Sequence, residues 1–252
     1  MMHLLSLLDL STGQWVVSGL CVMLLGFSKT GIGGVSTLVI PVMAAIFGGK
    51  SSAAIILPLL ISGDLIAVRH YRTNANWPYI FKVLPWSFGG LALGVLVGNL
   101  VSDLQFKMII GVSVLFCLGI MIWMERHGDT ATMPDKWWFG AIMGLAGGFT
   151  TMIGNAAGPV MTVYLLAMRL PKYDFIGTGA WFFMIMNLTK LPLQIIFWKA
   201  ITPATLAFDA VMFPAILIGT FIGIRVVRKI PEKPFRVTVT ILTAAAAVKL
   251  FF

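Results

Sequence analysis

Nine residues near the start of the chain, GFSKTGIGG at 26–34, set a lysine between two hydroxyls and follow it with glycines. Lys29 supplies a cation and Ser28 and Thr30 supply hydroxyl donors. Gly31, Gly33 and Gly34 let backbone N–H groups approach a ligand closely. Where such a segment interrupts a helix, the exposed helix N-terminus adds partial positive charge, and the combination suits a small anion. A second segment, GFTTMIGNAAGP at 148–159, opens in the same way and offers neutral donors, Thr150, Thr151 and Asn155, beside Gly154 and Gly158. Plainer roles compete with this one. Glycines in apolar helices also serve close packing, and hydroxyls also bond back to their own helix. The lysine is harder to dismiss, because inserting one midway in an apolar stretch costs at least roughly 2.5 kcal/mol.

Three further ionisable residues stand inside apolar runs: Asp64 in LLISGDLIAV, Lys190 in FFMIMNLTKLPLQ, and Asp209. One reading is structural, an Asp64–Lys190 or Asp64–Lys29 salt bridge joining two parts of the protein. The functional reading has Lys190 and Asn187 facing a substrate, with Asp64 orienting a lysine or carrying a proton. Asp209 follows Thr202-Pro203, a helix cap and first turn, and is a second candidate for ion coupling, or simply an interfacial residue. No HExxH, GxSxG or P-loop motif occurs, and no Cys, His or Met grouping suggests a metal. The sequence therefore predicts neither an enzyme nor an ATP-driven pump, with no cofactor and no metal.

The elements that must hold these residues follow from composition. Of 252 residues, 59% are hydrophobic and only 11% charged, against about a quarter charged in an ordinary soluble domain. The mean hydropathy is +0.96. Too few charged side chains remain to cover a soluble surface, so the chain reads as an all-α polytopic membrane protein. Its net charge of +9 then marks basic cytoplasmic loops rather than nucleic-acid binding. The first residues, MMHLLSLLDLSTGQW, lack the basic region of a cleaved signal and read as retained.

A helix needs about 20 apolar residues to cross the hydrocarbon. Stretches at 50–71, 77–101, 104–124, 173–198, 203–226 and 233–252 fit. The stretches 14–47 and 137–168 are too long for one span, and each holds one of the glycine-rich segments in its middle. They read as broken-helix hairpins, since non-helical backbone at membrane depth survives only when buried in protein or lining a wet cavity. The polar run 125–136 reads as a cytoplasmic linker between a first half, 1–124, and a second, 137–252.

The halves resemble each other. Gly26-Phe27-Ser28 matches Gly148-Phe149-Thr150, and farther on, at an offset of 129, Pro85 matches Pro214, Gly90 matches Gly219 and Gly94 matches Gly223. Basic residues fall in opposite loops of the two halves: Arg69, Arg72 and Lys82 after the second long stretch of the first, but Arg225, Arg228, Lys229, Lys233 and Arg236 one loop later in the second. With positive residues inside, the repeats are inverted. Twelve of the 18 basic residues then face the cytoplasm, and Lys29 and Lys190 remain in the membrane. The predicted architecture is two inverted-topology repeats, each a broken-helix hairpin followed by three transmembrane helices. It comprises about eight full spans plus two hairpins, up to ten membrane segments, with both termini periplasmic and the broken tips meeting near the midplane.

GFSKTGIGG, its echo GFTTMIGNAAGP and the duplicated span pattern resemble the sulfite exporter TauE/SafE family over about 15–250. That resemblance implies a multi-pass carrier of the bacterial inner membrane for sulfite or a related anion such as an organosulfonate. It also implies that Ser28, Lys29, Thr30 and the second tip form the anion site. Inverted repeats with broken helices point the same way, to a secondary transporter working by alternating access. Moving a negative charge out of a negative cell gains about 2.3 kcal/mol per 100 mV, so an exporter needs no coupling ion, and export is favoured because the second tip offers no carboxylate. The alternative is a proton-coupled importer of an organosulfonate or other small organic anion. The expected partners are the small anion and the lipid bilayer, with homo-oligomers compatible and nucleic acid excluded.

Overall fold

The computed structural model describes residues 8–31, 35–102, 104–105, 108–109, 112, 137–231, 234–235, 237–238 and 241. The predicted linker 125–136 lies outside the described residues, as do most of the predicted spans 104–124 and 233–252. Among the described residues the fold is all-helical, with no strand.

The helices are α1 (Thr12–Thr30), α2 (Ser36–Phe47), α3 (Gly49–His70), α4 (Trp77–Leu100), α5 (Trp137–Gly154), α6 (Gly158–Ala167), α7 (Lys172–Leu193) and α8 (Pro203–Lys229). A π-helical turn, Gln194–Trp198, extends α7. Local sequence explains several of the ends. Ser11 caps α1 through a box with Gln14, each side chain accepting the other's backbone N–H. Thr202 and Thr205 do the same for α8, with Pro203 in its first turn.

Among the described residues, four helices are long and apolar enough to cross a membrane: α3, α4, α7 with its π turn, and α8. Large apolar side chains such as Phe81, Leu96, Ile196 and Phe221 stand exposed on them, as a lipid-facing surface requires. Polar contacts fix which helix ends lie together. At one end Lys50 of α3 donates to Asn99 Oδ1 of α4 at 3.1 Å and lies over the Trp198 ring. At the other end Asn74 donates to Asp174 Oδ1 at 3.1 Å, and Lys172 donates to Val227 O and Ile230 O at the end of α8. So α3 and α8 run one way, and α4 and α7 the other.

Each stretch that was too long for one span is two helices. The outer ends of α1 and α2 meet at Phe208, near the start of α8, where Trp15 and Phe47 lie 5.4 and 5.2 Å from its ring. The outer ends of α5 and α6 meet near Tyr79 at the start of α4: Phe139 and Tyr164 rings are 5.9 Å apart, and Tyr164 donates to Tyr79 O at 3.1 Å. The first pair thus opens toward one end of the protein and the second toward the opposite end.

Glycine lets α1 lie against α8, and α4 against α5, at backbone contact. A methyl on Gly26 would collide with Ile216 O, and one on Gly219 with Met23 O; a methyl on Gly148 would collide with Ser87 O, and one on Gly90 with Leu145 O. Without a hydrophobic drive between helices in lipid, such close van der Waals packing is what joins them.

Candidate functional site

The first break follows Thr30, where the Gly31 N–H bonds Phe27 O at 2.7 Å. The chain resumes as helix at Ser36, whose N–H donates to Ser28 Oγ at 3.2 Å. That bond satisfies one of the N–H groups a helix start leaves open. Lys29, in the last turn of α1, has its cation where the helix dipole favours it. Its Nζ lies 2.7 Å from Asp64 Oδ1 of α3 and 4.7 Å from the Phe183 ring centroid of α7.

The second break centres on Asn155, which adopts left-handed backbone with φ 55°, a conformation Asn tolerates better than most residues. Its N–H returns to Thr151 O at 3.0 Å, closing the end of α5. Its side-chain amide donates to Ala53 O of α3 at 3.0 Å, so the second tip is tied to the helix that carries Asp64.

The two tips are joined by one chain of polar contacts. Asn187 Nδ2 donates to Asp64 Oδ2 at 2.6 Å, and Asn187 Oδ1 accepts from Lys190 Nζ at 2.9 Å. Lys190 Nζ also donates to Thr151 Oγ1 at 3.1 Å and to Asn155 Oδ1. Asp64 and Lys190 are wholly buried, while Lys29 keeps 10% of its side chain exposed. Asp64 and Asn187 occupy the same place in two helices of 22 residues each, α3 and α7.

Beside this chain lies a cavity of about 70 Å³. One water needs roughly 10–15 Å³, so the space holds several waters or one small anion. Its polar wall is Ser28, Lys29, Ser36, Asp64, Thr151, Asn155, Thr162 and Asn187, and Ile40, Met161, Phe175 and Phe183 are among its apolar wall. Gly31 and Gly158 bring backbone to its edge.

Not every residue singled out from sequence comes to this cavity. Thr30 turns away, donating to Thr220 O of α8 at 2.6 Å. Its carbonyl accepts from Tyr71 at 3.1 Å. Burial, reinforced by Tyr173 and opposed by Arg228, pushes the Tyr71 phenol up to about 12, so it remains a donor throughout the neutral range. Thr150 bonds back to Ala146 O at 2.7 Å, the helix-internal alternative. Gly154 is buried at the end of α5 but does not line the cavity. Lys190 sits one layer behind the wall, reaching the cavity only through Thr151, Asn155 and Asn187. Asp209 is buried in α8 and does not line the cavity. Gly33 and Gly34 lie outside the described residues. Sequence reasoning missed Ser36, Thr162 and Phe183, since a serine at a helix start and a threonine or phenylalanine in an apolar run carry no signal of their own.

Among the described residues no group of three or more His, Cys, Asp or Glu could hold a metal ion. Comparison with family profiles finds a match, described as Sulfite exporter TauE/SafE, over residues 18–250. Neither the curated proteins nor the solved structures searched yield a match.

Proposed function

Because the chain belongs to the sulfite exporter TauE/SafE family, a family of membrane transporters of sulfur anions, we propose that the cavity between its two helix breaks is the transport site for a small sulfur oxyanion, sulfite or an organosulfonate. The carrying observation is Lys29, a cation at the first break that lines the cavity and faces Asp64 across 2.7 Å. Around it stand the donors such an anion needs: the hydroxyls of Ser28, Ser36 and Thr151 and the amides of Asn155 and Asn187. The N-termini of α2 and α6, at Ser36 and Gly158, also border the cavity and turn the positive ends of their helix dipoles to it.

Transport proceeds by alternating access of two inverted repeats, each a hairpin with three following helices, in the inner membrane of a bacterium. Three features support this. The two hairpins open toward opposite ends. Their contacts also correspond: Gly26 meets Ile216 and Thr220 while Gly148 meets Ser87, and Gly219 meets Met23 and Phe27 while Gly90 meets Leu145 and Phe149. These are the positions that the sequence offsets pair, each hairpin packing against a helix of the other repeat. Basic residues gather at one end, with Arg69, Arg72, Lys172 and Arg228 around the Asn74–Asp174 contact, the cytoplasmic side by the positive-inside rule. Both chain termini are then periplasmic.

The direction is export, driven by the membrane potential. Reconstituted in sulfite-loaded vesicles, the protein should release sulfite when the interior is made negative, with no pH gradient. A proton-coupled importer is the second reading, favoured by the carboxylate of Asp64 inside the site. For it, a pH gradient alone should drive uptake, and voltage-driven release without one would exclude it.

A further inference from the structure

Resting on that reading of the cavity, we infer that the site prefers an organosulfonate with a short apolar chain, that the chain lies between α6 and α7, and that Gly179 sets the chain length accepted. The cavity walls are unevenly divided. Polar residues gather at the two breaks and at Asp64 and Asn187. On the side of α1, α2 and α3 the apolar lining is one turn deep: Leu25, Ile40 and Leu60 each stand four residues from Lys29, Ser36 and Asp64. Along α7 it runs farther. Phe175, Gly179, Phe183 and Asn187 follow one another at four-residue intervals and so share one face. At 1.5 Å per residue that stripe is about 18 Å long. Facing it, α6 contributes Met161 and Leu165, with Thr162 as the one polar residue of its lining. The cavity is thus polar where Asn155 and Asn187 meet Lys190, and apolar toward the end where α6 stops and α7 begins.

A sulfite ion, one sulfur and three oxygens, meets the polar residues and leaves the stripe along α7 uncovered. Apolar surface is stabilised when a ligand takes the place of water on it. The cavity of about 70 Å³, at roughly 10–15 Å³ for each water, takes about five to seven waters. That is room for a sulfonate group followed by roughly three or four carbons.

Gly179 is where such a chain must pass. A methyl there would meet Leu165 Cδ1 at 3.5 Å, an ordinary contact with the end of a flexible side chain and the one close neighbour among the described residues. At Gly177, two positions earlier, a methyl would come within 2.8 Å of Asn74 O. Glycine weakens a helix interior relative to alanine. Packing requires it at 177 but not at 179, where what glycine keeps open is the cavity it lines.

Methanesulfonate and butane-1-sulfonate test this, since both carry one negative charge and they differ only by three methylenes. Each methylene buried on an apolar wall is worth about fourfold in affinity. Binding to the purified full chain in lipid nanodiscs, measured above that of empty nanodiscs, should favour butane-1-sulfonate by roughly tenfold or more. Gly179→Leu should erase this preference while methanesulfonate still binds as in the native protein. Gly179→Ala adds a single methyl and should lower the preference by about fourfold; it carries the test if the leucine variant does not fold. Equal native affinity for the two anions overturns the inference and leaves the transport reading standing. So does a preference unchanged in the folded variants, the mark of a mere access path. Absence of binding by methanesulfonate, butane-1-sulfonate and sulfite alike overturns both.

Discussion

The two membrane lysines differ in what surrounds them, and so in what their loss should do. Lys190 is fully buried and holds three side-chain oxygens from two helices and the second tip. Replacing it with Met strands those oxygens, so Lys190→Met should lower stability by about 3 kcal/mol or more, read as a fall in the thermal midpoint in detergent. Lys29 is partly open to the cavity, pairs with Asp64 and lies over the Phe183 ring. Lys29→Met should also destabilise, because it leaves a buried carboxylate without its cation. The double substitution Lys29→Met with Asp64→Asn should recover most of that loss while transport stays absent. A double variant that transports sulfite would show that the lysine serves folding alone. The importance of these residues is legible in the sequence because each is an isolated polar group in an apolar run. Their partners are less so. Successive residues on a helix point in different directions, so Lys29 enters the cavity while Thr30, next to it, turns to Thr220 of α8. Nothing in the spacing reveals which way a turn faces until the neighbouring helix is placed.

Among the elements, the broken helices depend on glycine packing as much as on their tips. Gly148 and Gly219 stand where a methyl would strike the backbone of the partner helix. Gly148→Ala and Gly219→Ala should each force α4 from α5, or α1 from α8, and sharply reduce the yield of folded protein on size-exclusion chromatography. Gly13 is the control. Its nearest neighbour to a new methyl is Ser11 Oγ at 3.9 Å, so Gly13→Ala should be tolerated and gain up to about 1 kcal/mol of helix propensity. The breaks could be read from sequence because a 14–47 or 137–168 stretch exceeds one span. The close contacts could not, since a glycine needed for a ligand and one needed for a neighbouring helix look alike until the helices meet. At Gly26 and Gly148 packing is the observed role.

For the whole molecule, the arrangement of helix ends fixes where labels should reach. In a protein whose native cysteines, Cys21 and Cys117, have been replaced, a cysteine at Lys199 should react with an impermeant reagent added outside intact cells. One at Lys172 should react only after the membrane is opened. The reverse pattern would invert the proposed orientation. The charge arithmetic of the sequence proposes that orientation; in the structure the two helix pairs meet at opposite ends, at Phe208 and near Tyr79. The Lys29–Asp64 ion pair is one of the two pairings the sequence suggested, but the join from Asp64 through Asn187 to Lys190 was not legible, because Asp64 and Asn187 lie 123 positions apart. The most direct measurement is sulfite efflux from vesicles holding equal amounts of folded native protein and Lys29→Met, at the same imposed voltage. Native flux with Lys29→Met at the background of empty vesicles is expected; equal flux from both would contradict an anion site built on Lys29.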